Sequence, residues 1–382
     1  MMNIFQRFKN FLRAPRLSYE PLIEVRIFKD AILHNLAEYR RVYPHLAFAP
    51  VLKSNAYGHG LVEVAKILDN RQTAFFVVDS FYEAVVLRKE NIQSKILIIG
   101  YATEGQIFND NLADSAFAIT SLEQLQNIAS KLTRPKRFHL KVDTGMARQG
   151  VWPEEIEKSI QLIKSNENII LEGSCTHFAD AKNTDDSYTR EQIAKWNASA
   201  QKLKREFPGI KYLHAGSTSG VYYSKDTIGN VGRIGLGLYG LDNAPHSRLS
   251  LKPALEIWSV VSLVKNLPAG RKVGYSGTFE SSKSMTIASV PVGYNEGVDR
   301  RLSNRGSLKI GRAVCPIVGR VSMNMTTIDV SSVPGVKLES KVLILSRNAR
   351  DGNSLENLAR LCDCIPHEIL VHIPQYLRRN VI

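Results

Sequence analysis

Between Phe48 and Gly240, short apolar runs alternate with longer segments whose apolar residues recur at helical spacing. The runs are "FAPVLK" from Phe48, "AFFVVDS" from Ala74, "KILIIG" from Lys95, "SAFAIT" from Ser115, "RFHLKV" from Arg137, "NIILEGSCTHF" from Asn168, "IKYLHAGS" from Ile210 and "GRIGLGLYG" from Gly232. Strands this continuously apolar are covered on both faces, which parallel sheets achieve with crossover helices. Eight of them in under two hundred residues predict an α/β fold built on a closed (β/α)8 TIM-like barrel, not an open doubly wound sheet. Between the runs, Ser121 reads as the cap of a helix reaching Leu132, with Leu122, Leu125 and Ile128 as its stripe, and Pro153 suits a first helical turn.

After Pro245 the texture changes. "EIWSVVSLVKNL", "MTIASVPV", "SLKIG", "PIVGRVSMNMTTIDV" and "KVLILS" are short β-rich runs separated by turn residues, so a mostly β C-terminal domain is expected. The expected units are an N-terminal extension over residues 1–20, a barrel over 21–247 and the β domain over 248–382. In the extension, Ile4, Phe5, Phe8, Phe11 and Leu12 share one helical face beside basic residues. It is read as packing on its own domain, in preference to a membrane-surface helix.

A chain of 382 residues with 44% hydrophobic content can bury the cores of two domains. Its formal charge of +14 comes from scattered Lys and Arg, without a basic run, an RNA-binding aromatic signature or zinc-finger spacing. Nucleic acid is therefore not the expected partner, and surplus surface charge or attraction to an anionic ligand or lipid surface fits better. Cys175, Cys315, Cys362 and Cys364 match neither zinc nor redox spacing and read as reduced thiols of a cytoplasmic protein, with no metal expected. No run approaches the roughly 20 apolar residues of a membrane span, and no signal-peptide core with a cleavage site is visible.

In such a barrel, ligand chemistry collects at the carboxyl ends of the strands. Those ends carry Lys53 with Tyr57, Lys141 to Arg148, His177, Ser217 with Thr218, and Arg233 with Gly235. A lysine closing a buried strand is costly to desolvate. Alone, Lys53 reads either as a surface lysine with a buried stem or as a nucleophile whose lowered pKa suits Schiff-base formation. His177 and Arg233, taken singly, read equally as a hydrogen-bonded core histidine and an ion-paired arginine.

The string "VLKSNAYGHG" resembles the pyridoxal-phosphate attachment motif of alanine racemases, with Ser54 where that family usually has alanine. The blocks "KVDTGMARQG", "THFADA", "HAGSTSG", "GRIGLGLYG", "VGYSGTF", "VPVGYNEG" and "GRVSMNM" follow in the family's order, so the resemblance spans roughly residues 20 to 375. It implies racemisation of alanine on pyridoxal 5'-phosphate held at Lys53, with Lys53 and Tyr275 as the two acid/base groups. Tyr275, in the β domain, is implied to serve the other subunit's site in a head-to-tail homodimer. His177 is implied to contact this tyrosine and Arg233, and Arg233 to donate to the pyridine nitrogen. Tyr57, Ser217, Thr218 and Gly235 are implied to surround the phosphate, with Thr218 where serine is usual. Arg148 would meet the cofactor's phenolic oxygen and the substrate carboxylate, oriented by Lys141 in N-carboxylated form. Tyr294 and Met323 would narrow the entrance and bind that carboxylate. Glu296 and Asn324 stand where the family commonly has aspartate, Tyr239 is left open between strand-end packing and the phosphate site, and Tyr376 is a candidate further phosphate contact.

D-alanine for peptidoglycan is the expected product. A broad-specificity racemase on the same scaffold is a close alternative, because one extra methylene is discriminated by only about 1–3 kcal/mol. A non-catalytic pyridoxal-phosphate carrier would lack the β domain, and a decarboxylase of the barrel-plus-β plan fits the blocks less well.

Overall fold

The computed structural model describes residues 20–242, 244 and 247–382, so the amphipathic face expected in the N-terminal extension lies outside the described residues. Glu24–Ile27 forms β1 and Lys29–Val42 forms α1. Eight strands then follow: β2 (Ala47–Pro50), β3 (Phe76–Val78), β4 (Ile96–Ile98), β5 (Ser115–Ile119), β6 (Lys136–Lys141), β7 (Ile169–Cys175), β8 (Tyr212–His214) and β9 (Val231–Ile234). Each overlaps one of the apolar runs read from the sequence. Strands β3 to β8 pair in chain order, and β2 pairs in parallel with β9.

Main-chain bonds at two seams close the ring. Leu52 N donates to Val77 O at 2.8 Å, while Asn230 N donates to Leu213 O at 2.9 Å and Arg233 N to Gly216 O at 3.0 Å. Helices α2 (Leu61–Leu68), α3 (Phe81–Lys89), α4 (Glu104–Phe108), α5 (Leu122–Lys131), α6 (Ile156–Lys164) and α7 (Ser187–Glu206) connect the strands. Ser121 caps α5 by accepting from Gln124 N, and Pro153 opens the turn that runs into α6, both as the sequence suggests. Phe48, Phe76, Phe117 and Phe138, one from each of four strands, are fully buried in the common core.

The second unit comprises β10 (Leu255–Val260), β11 (Leu263–Leu267), β12 (Lys272–Val273), β13 (Phe279–Glu280), β14 (Met285–Val290), β15 (Ser307–Ile310), β16 (Ala313–Pro316), β17 (Thr326–Asp329), β18 (Lys341–Leu345) and β19 (Arg379–Val381), with α8 (Leu355–Leu361) and α9 (Pro366–Val371). Its main sheet runs β16-β15-β18-β10-β1-β19. Strand β1 therefore belongs to this sheet, antiparallel to β10 and parallel to β19, which corrects the expected start of the barrel at residue 21. The physical reason is edge pairing: β1 fills the slot between β10 and β19, and the barrel is already closed without it. The run "PIVGRVSMNMTTIDV" is also only partly strand. Gly319 at φ 80 and the residues after it make a loop, and the ladder resumes at Thr326.

The joint between the units lies at the residues after β2. Ser54, Asn55, Ala56 and Tyr57 all take φ between 51 and 55, a single left-handed turn. L-residues resist this conformation by about 1–2 kcal/mol each, so the surroundings must hold it. Glu83 Oε1 accepts from Ser54 N at 2.7 Å, Asn55 Oδ1 accepts from Leu61 N at 2.9 Å, and the buried Arg379 of β19 donates to Gly58 O at 3.0 Å. Gly58 itself has φ 78, and a Cβ there would lie 2.1 Å from Leu370 O in α9. Gly58→Ala is expected to cost at least about 1–3 kcal/mol, read as a lower urea midpoint, whereas an unchanged midpoint would show that the turn relaxes freely.

Candidate active site

The carboxyl ends of the strands surround a cavity of about 890 Å³. Nine of the expected residues line it: Lys53, Tyr57, Lys141, Arg148, His177, Ser217, Thr218, Arg233 and Gly235. Lys53 enters from the left-handed turn, and its Nζ lies 3.2 Å from Asp79 Oδ1 at the end of β3. Glu83 ties these two strand ends together, because its other oxygen accepts from Asp79 N at 2.8 Å.

Arg233 is sealed in the barrel with 3% of its surface exposed. Its Nη2 donates to Thr176 O at 2.7 Å and Ala215 O at 3.1 Å, and lies 3.4 Å from His177 Nδ1. A guanidinium only donates, so His177 Nδ1 accepts and its proton sits on Nε2. Burial first, then the cations Arg233, Arg148, Lys141 and Lys53, pushes the His177 pKa down to about 3. His177 is thus a neutral ring at neutral pH, with an N–H to offer on its far side.

At the other end of the cavity the donors suit a phosphate. Burial pushes the Tyr57 phenol up to about 12, so it stays protonated. Gly235 is what admits it: a Cβ there would lie 2.7 Å from the Tyr57 hydroxyl. Thr218 Oγ1 accepts from Gly235 N at 3.2 Å and Gly237 N at 3.1 Å, which leaves its own proton to donate. Ser219 Oγ, buried at the cavity wall, has no hydrogen-bond partner among the described residues. An orphaned hydroxyl beside two more hydroxyls and a locked phenol fits a dianionic group.

Lys141 Nζ donates to Gln149 Oε1 at 2.9 Å. Burial, and then the neighbouring Arg148, Arg233 and Lys53, lowers its pKa, which favours the neutral amine that carboxylation requires. Arg148 is positioned through its main chain, whose N–H donates to Asp143 Oδ2 at 2.9 Å.

Tyr275, Tyr294 and Met323 are not among the residues around this chain's cavity. They stand on the β domain, 69%, 43% and 56% exposed, with Tyr275 at the tip of the β12–β13 hairpin. Tyr376 donates to Asn295 O, next to Tyr294, at 3.1 Å, and it too is not among the residues lining the cavity. The two positions that depart from the family pattern meet each other. Asn324 Nδ2 donates to Glu296 Oε1 at 2.6 Å, where a carboxylate at 324 would face Glu296 with like charge. Tyr239, left open by the sequence, donates to Val51 O from a buried site.

Sequence reading missed Asp79, Gln149 and the α9 residues His367 and Val371, all of which line the cavity. Asp79 had a signal, since it follows an apolar run just as Lys53 does. Residues of α9 reach a barrel mouth over three hundred positions upstream, which spacing along the chain cannot reveal.

The chain matches the family models "Alanine racemase, N-terminal domain" over residues 27–243 and "Alanine racemase, C-terminal domain" over 254–381. It is 37% identical over 350 residues to an alanine racemase of Methanococcus maripaludis, covering 89% of this chain and 93% of that one. An alanine racemase of Carboxydothermus hydrogenoformans is 34% identical over 354 residues, with 90% and 95% coverage. Among solved structures, an alanine racemase of Clostridium difficile 630 superposes with a TM-score of 0.88 at 28% identity, covering 96% and 97% of the two chains. An alanine racemase of Bacillus anthracis with bound L-Ala-P gives 0.87 at 27%, with 96% of each chain covered.

The half-buried His177 sets a pH dependence. Its native pKa, about 3, lies below its ordinary 6.5, so the unfolded chain binds a proton that the folded chain refuses. Stability is therefore whole above pH 6.5 and falls as pH drops toward 3. His177→Gln is expected to flatten this slope in urea unfolding series between those limits, and an unaltered slope would remove His177 as a contributor.

Proposed function

The chain belongs to the alanine racemase family and interconverts the enantiomers of alanine, and we propose that it does so on pyridoxal 5'-phosphate with proton carriers drawn from two copies of the chain. The observation that carries this reading is the division of parts: the amine, the arginines and the hydroxyl cradle line one cavity, while Tyr275 is presented outward from another domain.

When bound, the cofactor would supply the electron sink that makes the α-proton of alanine removable. Lys53 would hold it, with Tyr57, Ser217, Thr218 and the main chain at Gly235 receiving the phosphate. Arg233, a permanent donor, would face the ring nitrogen and leave it unprotonated, which weakens the sink and disfavours side reactions. Arg148 would orient the carboxylate of the substrate, and N-carboxylation of Lys141 would convert a repelling cation into its anionic partner.

Racemisation needs a proton removed from one face of a planar carbon and returned to the other. Lys53 serves one face. Tyr275 of the partner subunit serves the other, with the free Nε2–H of His177 available to stabilise its phenolate. Tyr294 and Met323 of the same partner surface would close the entrance and bind the carboxylate. The Glu296–Asn324 pair sets the shape of that loop and so bears on which small amino acids enter. We further propose a cytoplasmic homodimer, in keeping with the four free cysteines, and D-alanine supply for peptidoglycan as its role.

Complementation tests the shared site. Lys53→Ala chains and Tyr275→Phe chains are each expected to lose racemisation. Co-expressed, they form mixed dimers in which one site has both wild-type groups, and should recover up to about a quarter of wild-type activity. Activity that stays absent in confirmed mixed dimers would place both groups in a single chain. Incorporation of labelled bicarbonate at Lys141, read by carbon NMR and lost in Lys141→Ala, tests the modification.

A further inference from the structure

Behind the cavity, four polar residues from neighbouring strands run through the barrel interior: Arg233 on β9, His214 on β8, His139 on β6 and Glu172 on β7. All four are buried. Arg233 Nη1 lies 2.8 Å from His214 Nδ1, and His214 Nε2 lies 2.7 Å from His139 Nδ1. The remaining ring nitrogen, His139 Nε2, is 3.8 Å from Glu172 Oε2.

One chemical fact sets every proton in this line. Because guanidinium has no acceptor, His214 Nδ1 must accept, so a neutral His214 carries its proton on Nε2. That proton is donated to His139 Nδ1, which in turn leaves the His139 proton on Nε2, facing the carboxylate. Neither ring is charged: burial lowers both histidine pKa values, that of His214 well below 6.5, and Arg233 opposes a second cation. Burial alone would raise the Glu172 carboxyl, but His139 and Lys95 hold it down to about 2, with Lys95 Nζ at 3.1 Å and Arg137 Nε at 3.8 Å.

The surrounding packing fits the line rather than a loose polar cluster. A Cβ at Gly173 would lie 2.7 Å from His139 Nδ1, so only glycine at that position leaves the ring in place. Phe75 presents its edge to both imidazoles, at 5.3 and 5.4 Å between centroids, and Tyr212 stacks on His139 at 5.8 Å. The other partners of Arg233 are main-chain carbonyls and a neutral histidine, and no described carboxylate pairs with it.

We propose that Glu172, His139 and His214 are positioning residues for Arg233: the two neutral imidazoles, each protonated on Nε2, relay the guanidinium's charge to a carboxylate at the far end of the barrel and fix which N–H groups Arg233 turns toward the cavity. The line itself stands without the racemase reading, and only the kinetic readout below rests on it.

Neutron diffraction from deuterium-exchanged crystals of the full chain with pyridoxal 5'-phosphate tests the line directly. Deuterium is expected on Nε2 of His139 and His214 and absent from both Nδ1 atoms; deuterium on either Nδ1 overturns the proposal. Glu172→Gln keeps the shape and removes the charge. It is expected to lower kcat about tenfold in both directions while KM for alanine stays within about twofold, with Glu172→Asp partly restoring kcat. A Glu172→Gln chain with wild-type kcat would remove the far carboxylate from the account.

Discussion

Too much positive charge gathered in too little water is the constraint from which the site follows. Lys53, Lys141, Arg148, Lys182 and Arg233 share one cavity with only two carboxylates, Asp79 and Asp180. Like charges at close range in a partly desolvated space repel strongly, so such a cavity is stable only with neutral groups between the cations and an anion to receive. Each local feature answers that demand. His177 is kept uncharged, Lys141 is met by an amide, Lys53 leans on Asp79, and Arg233 is braced from behind by the His214 ring, which accepts its hydrogen bond. On the proposed function, a phosphate at one end and a substrate carboxylate near Arg148 would supply the missing negative charge.

The backbone meets a second demand, which is to deliver an amine from the strand end to the centre of the mouth. A left-handed turn does this within one turn, and it persists because groups from three places grip it: Glu83 from α3, Asn55 from within the turn, and Arg379 from the last strand. Arg379 comes from the β domain, so the geometry at Lys53 depends on the chain's final residues. Helix α9 reinforces the coupling by sending His367 and Val371 to the cavity and Leu370 O against Gly58. The two domains thus frame one cavity, even though Lys53 itself is carried by the barrel.

Sequence legibility followed the range of the interactions. The eight barrel strands were readable because each is a continuous apolar run, and the cap at Ser121 because it is a local bond. Strand β1 was not: "EVRI" alternates in burial, but nothing within it names β10 and β19 as its neighbours. The left-handed turn was hidden for another reason. Of the residues at positions 54 to 57 only Asn55 favours that conformation, and the bonds that hold the turn come from residues 29 and more than three hundred positions away. The cavity residues Lys53, His177 and Arg233 were found at strand ends, yet Asp79, Gln149 and the His214–His139 contact become visible only when strands are arranged side by side. Tyr275, singled out by its block, stands exposed on a hairpin tip and outside the cavity of the single chain.

The central physical claim is that the surplus of cations in the barrel mouth is a receptor for a dianionic cofactor. Equilibrium titration of the full chain with pyridoxal 5'-phosphate and with pyridoxal, at matched salt, tests it most directly. The phosphorylated form is expected to bind more tightly by about 100-fold or more, the difference shrinking as salt rises. Equal affinity for the two, unaffected by salt, would contradict it.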